Sequence, residues 1–140
     1  MTPRSPAGRT RTRAPIVQDR VQPVLTAVLP SSRIGYVVVF SLLAPLALYR
    51  GPLNLYGMGS GLAALMARVP GLGPTSVMAA LMSVGQLQGA CDPTNTHNVW
   101  IANYLGVDVQ QVLRRTIVYV WPAAVVGLVV GAVMFLGARG

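Results

Sequence analysis

Thr116 to Ala138, TIVYVWPAAVVGLVVGAVMFLGA, runs for 23 residues without a charged side chain, between Arg115 and Arg139. A bilayer core about 30 Å thick takes roughly 20 apolar residues in helical form, so this run predicts a transmembrane helix and an integral membrane fold. Gly127 and Gly131 set two small residues one turn apart on it, a pattern that lets a neighbouring helix approach closely. Two arginines before the run and one after it favour a cytoplasmic start for this helix.

The composition agrees. Of 140 residues, 53% are hydrophobic and only 10% are charged, too few charges to cover a water-soluble surface. The acids are Asp19, Asp92 and Asp108, so no carboxylate occurs from Val21 to Cys91. All 11 basic residues are arginine, and Arg4, Arg9, Arg11, Arg13 and Arg20 fall in the first twenty positions beside Pro3, Pro6 and Pro15. Such a stretch reads as a disordered basic tail. It can attract anionic lipid or RNA, but basic residues accumulate on the cytoplasmic side of membrane proteins, and a topogenic tail is the favoured reading. The net charge of +8 thus implies no nucleic-acid partner. No apolar segment follows the early arginines closely enough for a cleavable signal. Cys91 is the only cysteine, which leaves no intrachain disulfide and reads as a small buried residue.

Upstream of the long run, Val99 to Arg115 mixes Trp100, Tyr104, Val109 and Leu113 with Asn103, Asp108, Gln110 and Gln111. It predicts an amphipathic interfacial connector, broken at Gly106 and anchored by Trp100 and Tyr104. Before it lies the polar stretch Gly85 to Tyr104, GQLQGACDPTNTHNVWIANY, with Gln86, Gln88, Asp92, Thr94, Asn95, Thr96, His97, Asn98 and Asn103. Polar atoms enter a membrane only where partners satisfy them, so this density points to an internal site. A helix predicted over 75–89 begins at Pro74 and stops at that stretch, too short to cross the core, a pattern associated with a site near the midplane.

Gly51 to Ala67, GPLNLYGMGSGLAALMA, is uncharged but interrupted by Gly51, Pro52, Asn54, Gly57, Gly59 and Gly61. Two readings stand: a broken or re-entrant segment (51–68) lining a cavity, or a close-packing face built on Gly57 and Gly61. Ile34 to Tyr49, between Arg33 and Arg50, predicts another transmembrane helix, with a kink at Pro45. Val21 to Pro30 is too short to cross and reads as an interfacial lead-in. The chain therefore divides into a tail and lead-in, 1–32, and an all-α membrane domain, 33–140, with about two full transmembrane helices.

Asp92 is the only acid in a candidate membrane region, and an ionisable group there is a functional hypothesis by default. Its carboxylate can coordinate sodium or carry a proton. The competing reading is an aqueous loop in which Asp92 and Pro93 merely start a turn. Thr94, Asn95, Thr96 and Asn98 offer donors to an organic carboxylate. Asn54 and the run Gly57, Gly59, Gly61 form the expected opposing wall, since two breaks on either side of helix 75–89 leave backbone groups that need partners. His97 can relay protons but more often is a hydrogen-bonded structural residue, and one His with one Cys makes no zinc site. No nucleophile and base pair, phosphate loop or paired carboxylate is visible. No enzyme activity, metal centre or organic cofactor is expected, apart from a coupling ion, Na+ or H+.

The run from Gln86 to Val133 resembles the C-terminal end of the gluconate, citrate and C4-dicarboxylate permeases of the ion transporter superfamily. Gly106, Val107, Val109 and Leu113 match the connector of those permeases, and Asn95-Thr96 is similar to their short polar substrate loops. The resemblance implies a multi-pass inner (plasma) membrane protein in contact with lipid that binds a small organic anion. Those permeases carry two inverted repeats and are several times longer, so it further implies a fragment or subunit completed by a partner chain or oligomer. The alternative is a small non-transporting membrane subunit whose glycine faces pack against a partner membrane protein.

Overall fold

Arginines bracket the long apolar stretches, and helices form between them. The computed structural model describes residues 14–29 and 32–136, and every regular element among these is helical. Helix α1 (Ala14–Val28) continues through Pro23. It takes in the end of the basic tail, expected to lack such order, and most of the interfacial lead-in; residues 1–13 of the tail lie outside the described residues. Leu25 and Leu29 give it an apolar hold on the core.

Helix α2 (Arg33–Leu43) starts where the Ser32 side chain accepts a hydrogen bond from the Gly35 N–H at 3.2 Å, filling one of the unpaired donors of a helix start. At Ala44 the backbone tightens into a 3-10 turn, Ala44–Arg50, with Pro45 in its first turn. Helical dihedrals end at Leu48 (ψ 160°), and Tyr49 and Arg50 then take φ values of 54° and 56°. The expected helix over 34–49 is therefore helical only to Ala47. With rises of 1.5 and 2.0 Å per residue it is about 24 Å long and reaches both faces of a bilayer core only if Arg33 and Arg50 snorkel.

The chain reverses at Gly51, where any β-carbon would overlap the Leu46 carbonyl oxygen. Leu55–Gly59 is a wide turn closed by the Gly59 N–H donating to Asn54 O at 2.9 Å, five residues back. A short helix α3 (Ser60–Met66) follows. The segment 51–68 is thus broken in its first half, as the sequence suggested. Among the described residues Gly57 and Gly61 do not form a packing face, because a β-carbon at Gly61 would meet nothing within 4 Å.

Helix α4 (Pro74–Cys91) has 18 residues, longer at both ends than the predicted 75–89, and at 1.5 Å per residue spans about 27 Å. It buries Ser76, Val77, Ala80, Leu81, Val84, Leu87 and Cys91, a stripe at helical spacing. Met78, Met82 and Gln86 stay exposed on the opposite side, so the helix is buried along one face while much of its open face is also apolar.

Helix α6 (Val109–Phe135) starts seven residues before the predicted 116, and it packs antiparallel to α4. Gly131 lies against the Ala79 methyl and Gly127 against Ser83, so the small pair read from the sequence is the α4–α6 contact. Helix α2 completes the bundle: Tyr36 Oη donates to Ser76 O at 2.6 Å and Trp121 Nε1 to Ser41 O at 3.2 Å. Tyr36, Phe40, Leu81, Leu87 and Leu128 fill the centre. The interfacial connector divides in two, with Thr96–Leu105 forming α5 and Val109–Arg115 the first two turns of α6. Gly106 makes the bend between them at φ 65°, a left-handed conformation that glycine adopts without steric cost.

The segment Arg33–Arg50 and helix α6 are each long and apolar enough to cross a membrane. Their outward faces expose Ile34, Val38, Leu42, Val126, Val130 and Val133, a surface suited to lipid rather than water.

Candidate functional site

The polar stretch forms where α4 ends and α5 begins. A helix end leaves its last carbonyls without partners, and here side chains from the next helix supply them. Asn95 Nδ2 donates to Gln88 O, and Gln88 Nε2 returns a bond to Asn95 Oδ1 at 3.0 Å. His97 Nε2 lies 2.8 Å from Gly89 O, and because a carbonyl only accepts, that nitrogen carries the proton. Asn98, buried, donates from Nδ2 to the Asp92 carbonyl at 2.9 Å.

Asp92 is fully buried at the turn itself. Its Oδ1 accepts from the Thr94 N–H at 2.8 Å and from Thr94 Oγ1 at 2.7 Å, the local pattern that makes aspartate a turn former. Its Oδ2 is also buried and has no hydrogen-bond partner among the described residues. One oxygen of Asp92 thus shapes the turn, and the other is left without a partner among these residues.

Asp92, Thr94, Asn95 and Asn98 thus come together as expected. Thr96 opens α5 and is exposed; neither it, His97 nor Asn98 lies in a loop, since all three belong to the first turn of that helix. The depth differs from expectation. Asp92 lies nine residues beyond Ser83, which faces Gly127, and so about 13 Å along α4 toward the end of α6 that carries Arg114 and Arg115. The cluster sits toward the end of the span, not at its middle.

The expected opposing wall is a separate arrangement. Asn54, buried, has its Oδ1 bonded to the Tyr56 N–H at 2.9 Å, and its carbonyl accepts from the Gly57 and Gly59 N–H groups. These residues satisfy one another rather than facing Asp92. A cavity of about 210 Å³ lies between Leu55 and Tyr56 of the first break and Leu81, Met82, Gly85, Gln86, Gln88 and Gly89 of α4. Gln86 and Gln88 bring polar groups to this cavity and were absent from the expected site. Their place at i and i+2 near a helix end gives little sign of which face they take, but Gln88 lies seven residues before Asn95, its partner across the turn.

Among the described residues no three His, Cys, Asp or Glu side chains gather as metal ligands. Compared with known proteins, the chain matches no family model, no curated protein and no solved structure.

Proposed function

We propose that this chain is a fragment or subunit of a secondary transporter that moves organic anions with H+ or Na+ across the inner (plasma) membrane. The observation that carries this reading is Asp92: a fully buried carboxylate whose Oδ2 has no partner, in a chain with two helices able to span a bilayer. An unpaired polar atom in such a place is costly, and a proton, a cation or a donor on a substrate or partner chain would relieve the cost. The cavity beside Gln86 and Gln88 supplies room for a small anion, and the missing repeat comes from a second chain. The resemblance read in the residues from Gln86 to Val133 belongs to the same reading, although no family model or curated protein matches the chain.

A second reading, a non-transporting subunit, has its own support. Most polar side chains of the cluster bond to each other or to the end of α4, and β-carbons at Gly85 and Gly89 would meet nothing within 4 Å, leaving a small-residue face for another helix. Affinity purification of the tagged chain in mild detergent, followed by uptake of labelled gluconate, citrate and succinate in vesicles holding the purified assembly, separates the two. Transport supports the first reading. A stable assembly that moves none of the three under either a proton or a sodium gradient supports the second.

A further inference from the structure

The elbow between α5 and α6 encloses a groove of about 340 Å³ lined by Ile101, Leu105, Val107, Val112 and Thr116, with Gln111 and Arg115 among its walls. We propose that this groove holds an anionic phospholipid, an acyl chain lying against the apolar walls and the phosphate on the Arg115 guanidinium. Three observations commit the site to that occupant. The uncharged part of α6 from Thr116 to Phe135 has about the length of a bilayer core at 1.5 Å per residue, so Arg115 stands at its edge, where headgroups lie. Trp100 and Tyr104, stacked with ring centres 6.3 Å apart and both largely exposed, each adjoin a groove-lining residue of α5, Ile101 and Leu105, and aromatic residues of this kind gather at headgroup layers. The charge is also complementary. Arg115 is exposed, Arg114 adjoins it, and the nearby acid Asp108 has its Oδ1 bound to the Gln110 N–H at 2.6 Å, capping α6. The proposal rests on the membrane placement of α6 but not on transport.

Native mass spectrometry of the detergent-purified chain, titrated with phosphatidylglycerol or with phosphatidylcholine of the same acyl chains, tests it. Phosphatidylglycerol should give a saturable single adduct that phosphatidylcholine does not match. Arg115→Gln should weaken that adduct roughly fivefold, the loss of one arginine contact at a lipid surface. Val107→Trp, which fills the rim and keeps both arginines, should weaken it too, whereas Arg114→Gln should leave it unchanged. Each variant is compared at a helical circular dichroism matching the unsubstituted chain. Equal weakening by Arg114→Gln and Arg115→Gln would show diffuse charge attraction and overturn the site, as would equal binding of the two lipids or an Arg115→Gln chain that binds as before.

Discussion

A β-carbon placed on Gly127 would lie 2.8 Å from the Ser83 hydroxyl oxygen, so α6 can approach α4 at this level only because position 127 has no side chain. Ser83 Oγ is itself held by donating to Ala79 O at 2.8 Å, one turn back. Gly127→Val should therefore force the helices apart and cost about 1–3 kcal/mol, the usual range for overpacking. Unfolding in detergent, compared with Val126→Leu on the outward face as control, gives the measurement.

Gly59 and Gly61 should respond in opposite directions. A β-carbon at 59 would overlap the Asn54 carbonyl and break the wide turn, whereas position 61 lies in open space near the start of α3. Gly59→Ala is expected to destabilise the fold by more than 1 kcal/mol, while Gly61→Ala is expected to stabilise it by roughly 0.5–1 kcal/mol through helix propensity. Thermal unfolding of the two variants side by side checks the contrast, and equal effects would contradict it.

The end of α4 depends on two side chains of the following turn. Asn95→Ala removes donors to Gln88 O and Gly89 O and should cost about 1 kcal/mol. His97→Ala alone leaves Gly89 O with its longer Asn95 contact, so the double variant should lose more than the sum of the two. A double-mutant cycle on unfolding free energy reads that excess directly.

The membrane placement makes its own prediction. In a Cys91→Ala background, Val125→Cys should resist a membrane-impermeant thiol reagent, since position 125 is within the uncharged run of α6, and Trp100→Cys should react. Ready labelling at 125 would remove α6 from the bilayer.

Much of this was legible in the residues because it depended on local rules. Uncharged runs bounded by arginine located α2 and α6, Pro74 marked the start of α4, and the glycine pair at 127 and 131 marked a helix contact. The chain past 92 was harder to read. Thr94, Asn95 and Asn98 read in sequence as donors open to a ligand, but folding commits them at the turn: Asn95 to the carbonyls of Gln88 and Gly89, Asn98 to that of Asp92, and Thr94 to the Asp92 carboxylate. Only the three-dimensional turn shows that Asp92 keeps one oxygen unused. The two breaks at 51–59 and 92–95 were expected to satisfy each other; instead each closes on itself, Asn54 through Tyr56, Gly57 and Gly59, and Asp92 through Thr94 and Asn98. The depth of the cluster was hidden for a related reason, since it depends on which residues of α4 and α6 stand side by side.

Asp92→Asn is the variant that bears most directly on function. The new Asn Oδ1 can still accept both bonds from Thr94, so the turn and the helices around it should survive, while the unpartnered oxygen, proposed above to bind an ion, is replaced by an amide. In vesicles holding the purified assembly, with uptake of labelled gluconate, citrate and succinate driven by an imposed proton or sodium gradient, the proposed function predicts that this variant inserts normally and loses gradient-driven uptake. Unchanged uptake with unchanged dependence on pH and sodium would show that Asp92 only shapes the turn and has no part in coupling.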